Sequence, residues 1–133
     1  MREIKFCGKR VDNGEWAAGY YWANELDNHF IRVTIDEETG MFVLEDYKVI
    51  PETVGQFTGL LDKNGKEIYE GNIVDHYATF GYVLFEDGMF TLSTSAKVNF
   101  GHRQPLCYID SLQCEIIGNI HENPELLKEG DGE

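Results

Sequence analysis

Apolar and polar positions alternate along most of the chain in short runs, and the runs are punctuated by glycine turns. "EWAAGYYW" (Glu15 to Trp22), "FIRVTI" (Phe30 to Ile35) and "MFVLEDYKVI" (Met41 to Ile50) are rich in aromatic and β-branched residues. So are "NIVDHY" (Asn72 to Tyr77), "GYVLF" (Gly81 to Phe85), "MFTLST" (Met89 to Thr94) and "CEIIGNI" (Cys114 to Ile120). Side chains of this kind suit a pleated, half-buried surface, so each run predicts a β-strand. Between them stand "DNG" at Asp12 to Gly14, "EETG" at Glu37 to Gly40, "KNG" at Lys63 to Gly65 and "EDG" at Glu86 to Gly88. Asn-Gly and Asp-Gly supply the positive φ that tight hairpin turns need. No window of a dozen residues sustains a 3.6-residue apolar period, which predicts no long helix. One short helical turn is expected at "ENPELL", with Asn123 as cap, Pro124 at the first helical position and Glu125 beside the positive end of the dipole.

The expected fold class is therefore mainly β with little helix. N-terminal antiparallel strands are expected to pack with a C-terminal SH3-like small β-barrel, because five or so short strands bury a core by curling onto themselves. The expected boundaries are an N-terminal β lobe over residues 1–57, the C-terminal unit over 58–127 with its barrel strands in 66–121, and a disordered acidic tail over 128–133. A chain of 133 residues has room for a real core in either arrangement.

The stretch "TGLLDKNGKEIYEGNIV", Thr58 to Val74, invites a ligand and is read here as a turn. A Walker loop needs four residues between its first Gly and the Gly-Lys, then a Ser or Thr. Five residues separate Gly59 from Gly65, and Glu67 follows Lys66. An EF-hand loop would need a ligand two residues before Asp62, where Leu60 stands. What remains is a hairpin with Asn64 and Gly65 at its turn, followed by a second tight turn at "EGN".

Charge narrows the partners. The net charge is −13, spread as −5 over residues 1–57, −4 over 58–121 and −4 over 122–133. Nucleic-acid binding is driven by cations that release phosphate counterions, so neither nucleic acid nor an anionic membrane is an expected partner. The acidity serves solubility; an acidic DNA-mimic inhibitor is the sharper alternative. The start "MREIKFCGKR" has no apolar run of signal-peptide length, and no segment approaches a membrane span, which predicts a cytoplasmic protein. Cys7, Cys107 and Cys114 form no CxxC pair and suit reduced thiols.

For catalysis the sequence offers little. Ser93, Ser95 and Ser111 lie in no GxSxG elbow, and His29, His76, His102 and His121 lack HExxH spacing. His102, Cys107 and Cys114 fall in one short region, yet small thiols usually serve packing. No catalytic residue, cofactor or metal ligand is assigned. Trp16, Tyr20, Tyr21 and Trp22 are the candidate interaction surface: alternation puts Trp16, Tyr20 and Trp22 on one face of a strand and Tyr21 on the other. Packing of one face into the core competes there with a surface for a protein partner or a second copy of the chain.

"REIKF", "GEW", "GYYW", "PETVGQFTGLLDKNGKEIYEGNIV", "GYVLFEDGMF" and "IIGNIHENPELL" together resemble the YopX family of small phage and prophage proteins, over about residues 2–127. The resemblance implies a prophage setting and a C-terminal SH3-type barrel, and no known activity. Three positions depart from the family's habit: Cys7 for Arg, Asn72 for Asp after "EG", and His121 for Tyr. Asn72 lacks the charge a base or metal ligand at that turn would need. The expected function is a phage or prophage accessory protein acting as a non-enzymatic interaction or self-association module, with an unknown protein partner or a homo-oligomer. A small hydrolase or metal-dependent enzyme on the same scaffold is the alternative.

Overall fold

The computed structural model describes residues 3–36, 42–77, 79–94, 103–106 and 113–128. The chain divides into two compact units, residues 1–57 and 58–133, and both are built almost wholly of antiparallel strands.

In the first unit, β1 (Phe6–Lys9), β2 (Trp16–Ala23), β3 (His29–Asp36) and β4 (Phe42–Lys48) form a meander, and the start of β5 (Gly55–Leu61) pairs with the other edge of β1. Backbone bonds then join the two ends of the meander. Arg10 bridges Val49, the Val11 N–H donates to the Lys48 carbonyl at 2.9 Å, and the Ile50 N–H donates to the Lys9 carbonyl at 2.9 Å. The sheet is thus drawn round one of its faces. Ile31 and Val49 are fully buried on that inner face, where Phe6 and Tyr21 pack with ring centroids 5.5 Å apart. Gly19 permits the tight β2–β3 approach, since a Cβ built there would lie 2.2 Å from the Arg32 carbonyl oxygen. A 3-10 turn, Pro51–Thr53, leads into β5, and the Thr53 hydroxyl accepts from the Lys9 N–H at 2.9 Å.

In the second unit, β6 (Glu67–Tyr69) turns back along the end of β5. β7 (Asn72–His76), β8 (Thr79–Glu86), β9 (Met89–Thr94), β10 (Arg103–Pro105) and β11 (Cys114–Asn119) make a five-stranded sheet in the order β10-β9-β8-β7-β11. Ile68, Val74, Val83, Leu92, Leu106 and Cys114 form its buried core, with Leu60, Phe90 and Ile116 packed against it. Among the described residues the sheet has two ends, β10 and β11, and no ladder joins them. The outer edge of β11 is met instead by the β5–β6 turn, whose Lys63 N–H donates to the Cys114 carbonyl at 2.8 Å. The chain is mainly β, as its alternation predicts. Helix among the described residues is limited to short 3-10 turns and the four-residue α1 (Glu125–Lys128).

Local chemistry accounts for the turns, with two differences from the sequence reading. Asp87 and Gly88 both take positive φ, 53° and 80°, between the paired Glu86 and Met89, as a two-residue hairpin requires. At "DKNG" only Gly65 is positive, at 81°. Asp62 pairs with Lys66 around Lys63, Asn64 and Gly65, so the loop is one residue longer than an Asn-Gly turn. The side chain of Asn123, expected to cap α1, accepts from the Asn119 N–H at 3.2 Å. Asn72 accepts from the Tyr69 N–H at 2.7 Å, which gives the position after "EG" a structural task needing an oxygen and no charge. Of the expected tail over 128–133, Lys128 is instead the last residue of α1; residues 129–133 and the "EETG" turn lie outside the described residues.

Candidate functional site

The outer face of the β1–β4 sheet is the most distinctive surface. Register places Trp16, Ala18, Tyr20 and Trp22 of β2 on it, beside Phe30, Arg32 and Thr34 of β3 and Leu44, Asp46 and Lys48 of β4. Because the sheet curls the other way, this side is left to solvent: Trp16 is 36% exposed, Tyr20 70%, Trp22 37% and Leu44 58%. The rings near the centre are held in place. Trp22 stacks on Phe30 at 4.6 Å between centroids, and the Arg32 guanidinium lies 5.5 Å from the centre of the Trp22 ring. Arg32 grips both oxygens of Asp46, at 2.8 and 3.0 Å, while the Trp22 indole N–H donates to the same carboxylate at 3.1 Å. The Arg32 hydrogen bonds hold the Asp46 carboxyl below its ordinary range, against a smaller opposing effect of burial.

Tyr21 belongs to the inner face. Its hydroxyl is 2.6 Å from His29 Nδ1, its ring stacks on the imidazole at 5.8 Å, and His29 Nε2 lies 2.8 Å from Asp27 Oδ1. This Asp27, His29 and Tyr21 row ties down the β2–β3 hairpin. Its carboxylate end is 89% exposed, so water competes for the charge that would have to activate the tyrosine. The four aromatic residues singled out in the sequence therefore divide by register, Trp16, Tyr20 and Trp22 on one face and Tyr21 on the other, although Tyr21 is as exposed as Trp16.

A second arrangement, not visible in the sequence, centres on Asp62, whose side chain is 1% exposed. Oδ1 accepts from the Asn64 and Lys66 N–H groups at 2.8 and 2.9 Å, and Oδ2 accepts from the Ile116 N–H at 3.0 Å. The carboxylate thus stands in for a neighbouring strand at the irregular stretch of β11 between Ile116 and Gly118. Burial pushes its carboxyl up, but the three backbone donors and the nearby Lys66 outweigh burial, and the net shift is downward. The acid of the Thr58 to Val74 stretch is thus consumed by the backbone.

Cys114 is buried in the second unit's core and faces His76 across β7 and β11. His102 and Cys107 lie outside the described residues, as do Ser95 and Ser111. Among the described residues no group of three His, Cys, Asp or Glu could hold a metal ion, and no helix is long and apolar enough to cross a membrane.

Fold and face together define a two-unit antiparallel β protein with an exposed aromatic face. The chain belongs to the YopX family: the family model described as YopX protein matches residues 5–128. In fold it is similar to the crystal structure of protein EF1440 from Enterococcus faecalis, with a TM-score of 0.58 and 23% identity, over 96% of this chain and 99% of that one. At that identity the likeness speaks for the fold alone. No curated protein matches the chain.

Proposed function

We propose that this protein is a non-enzymatic interaction module, a phage or prophage accessory protein of the bacterial cytoplasm. It binds a protein partner or a second copy of itself through the outer face of β2 to β4. The carrying observation is that Trp16, Tyr20 and Trp22 stand on a solvent-facing side of the sheet while Phe30, Arg32 and Asp46 fix the Trp22 ring. Aromatic rings and arginine dominate binding energy at interfaces, and a ring already held in place loses little freedom on docking. The hydrolase alternative has weaker support, because the Asp27, His29 and Tyr21 row is open to water and is used by the hairpin.

Affinity capture from host cells during phage induction, with light scattering for self-association, tests the reading. Trp22→Ala combined with Tyr20→Ala is expected to abolish capture or oligomer formation, since a central aromatic anchor is worth about 2 kcal/mol or more. Thermal stability should fall only modestly, because Trp22 gives up its stacking on Phe30 and its bond to Asp46 while neither ring is in a core. Unfolding of the double variant, or its retention of a partner, would count against this face. Labelled DNA or RNA should not shift at micromolar protein, as the net charge of −13 repels phosphate. A salt-sensitive shift reduced by Lys97→Ala and Arg103→Ala would overturn that exclusion.

A further inference from the structure

Two Asn-Gly pairs occur among the described residues, Asn13-Gly14 and Asn64-Gly65. Both occupy exposed turns with the glycine at positive φ, 74° and 81°. From sequence they are equivalent sites for the slow self-modification of asparagine, which is favoured before glycine because no side chain shields the following amide. The structure separates them. Asn13 Oδ1 accepts from the Glu15 N–H at 2.9 Å and the Gly14 N–H donates to the Arg10 carbonyl at 3.1 Å, so the carboxamide must give up a bond before it can turn onto the Gly14 nitrogen. The Asn64 carboxamide has no such bond among the described residues, and nothing lies within 4 Å of the space a side chain on Gly65 would fill. A five-membered ring can close there without first breaking a side-chain hydrogen bond of the asparagine.

We propose that Asn64 is a deamidation and isoaspartate-forming site and that Asn13 is protected. The Gly65 amide gives its proton to solvent base and attacks Asn64 Cγ. A new N–C bond forms, the Cγ–Nδ2 bond breaks, and ammonia leaves with a proton. Water then opens the imide at either carbonyl, giving aspartate or isoaspartate, with no change in oxidation state. The Gly65 N–H must first leave the Asp62 carbonyl, 3.0 Å away, so conversion passes through local opening of the turn. The consequence reaches further than the turn. Isoaspartate inserts an extra backbone atom between the Asn64 and Lys66 N–H groups that both serve Asp62 Oδ1. It thereby loosens the carboxylate that also holds the Ile116 N–H. Age of the polypeptide is written into the tether between this turn and β11.

The test is peptide mapping by mass spectrometry with isoaspartyl methyltransferase labelling, on the full chain kept in warm, mildly alkaline buffer, native and in guanidinium. Natively, the Asn64 peptide is expected to convert several-fold faster than the Asn13 peptide; in guanidinium the two rates should converge. Asn64→Gln, which keeps the backbone donor, should remove the fast signal. The modified native fraction should show faster hydrogen exchange at the Ile116 amide. Equal or faster native conversion at Asn13, or a fast signal that survives Asn64→Gln, would overturn the assignment. Unchanged Ile116 exchange in the modified fraction would overturn the coupling to β11.

Discussion

Asp62→Ala should lower the unfolding free energy by roughly 2–4 kcal/mol, because it strips a charged acceptor from three backbone donors, one of them in the buried sheet. Asp62→Asn should be nearly as harmful, since an amide NH2 must then face either the Ile116 N–H or the pair from Asn64 and Lys66. Both tryptophans lie in the first unit, so urea unfolding is better followed by far-UV circular dichroism than by tryptophan emission. The pH dependence has a definite sign. Folding depresses the Asp62 carboxyl below its ordinary 3.8. Its stabilisation is therefore fully present above that value and is lost as the pH falls through the lower folded value. The gap between wild type and Asp62→Ala should close in acid; a gap constant down through that range would show that the carboxylate's charge is not what stabilises the turn.

Gly19→Ala is the second large effect, expected at roughly 3 kcal/mol or more, at the upper end of what overpacking costs. The added carbon would sit 2.2 Å from the Arg32 carbonyl oxygen and 3.5 Å from the Ile31 Cγ2 atom. The obstacle is backbone, so no side-chain rotation relieves it. β2 must shift from β3 and carry Trp22 away from Phe30 and Asp46. Emission from Trp16 and Trp22 should report that loss, whereas Ala18→Ser on the open face should leave both stability and emission near wild type. A Gly19→Ala protein as stable as wild type would mean that the two strands are further apart than described.

Much of this architecture could be read from the residues because its determinants are local. The seven long alternating runs became strands, and the face assignment of Trp16, Tyr20, Tyr21 and Trp22 followed from period two alone. Of the remaining four, β5 and β6 are the arms of the hairpin expected around Asn64 and Gly65, although Gly55 and Gly59 hide the length of β5. Two strands escaped notice for physical reasons: β1 is too short to show a period, and β10 spans only Arg103–Pro105. Which aromatic face stays wet was not legible either, because it depends on Arg10 meeting Val49, residues far apart in the chain. The same holds for Asp62: its surroundings at "LLDKNG" suggest an exposed turn acid, and its burial depends on Ile116. The two Asn-Gly pairs are told apart by the side-chain hydrogen bond that Asn13 makes and Asn64 lacks among the described residues, which no spacing rule encodes.

The Arg10 and Val49 closure also orders events in time. The β2–β3 and β3–β4 hairpins join residues close in the chain and can zip within microseconds. The closing contact must first overcome the entropy of a loop running through all three strands. It gains most once the meander has already shortened that loop. In the first unit, the step that commits the sheet to its curl therefore belongs late in folding. Until then the inner face is wet as well, and the chain shows Ile31, fully buried in the native sheet, alongside the aromatic face that stays exposed.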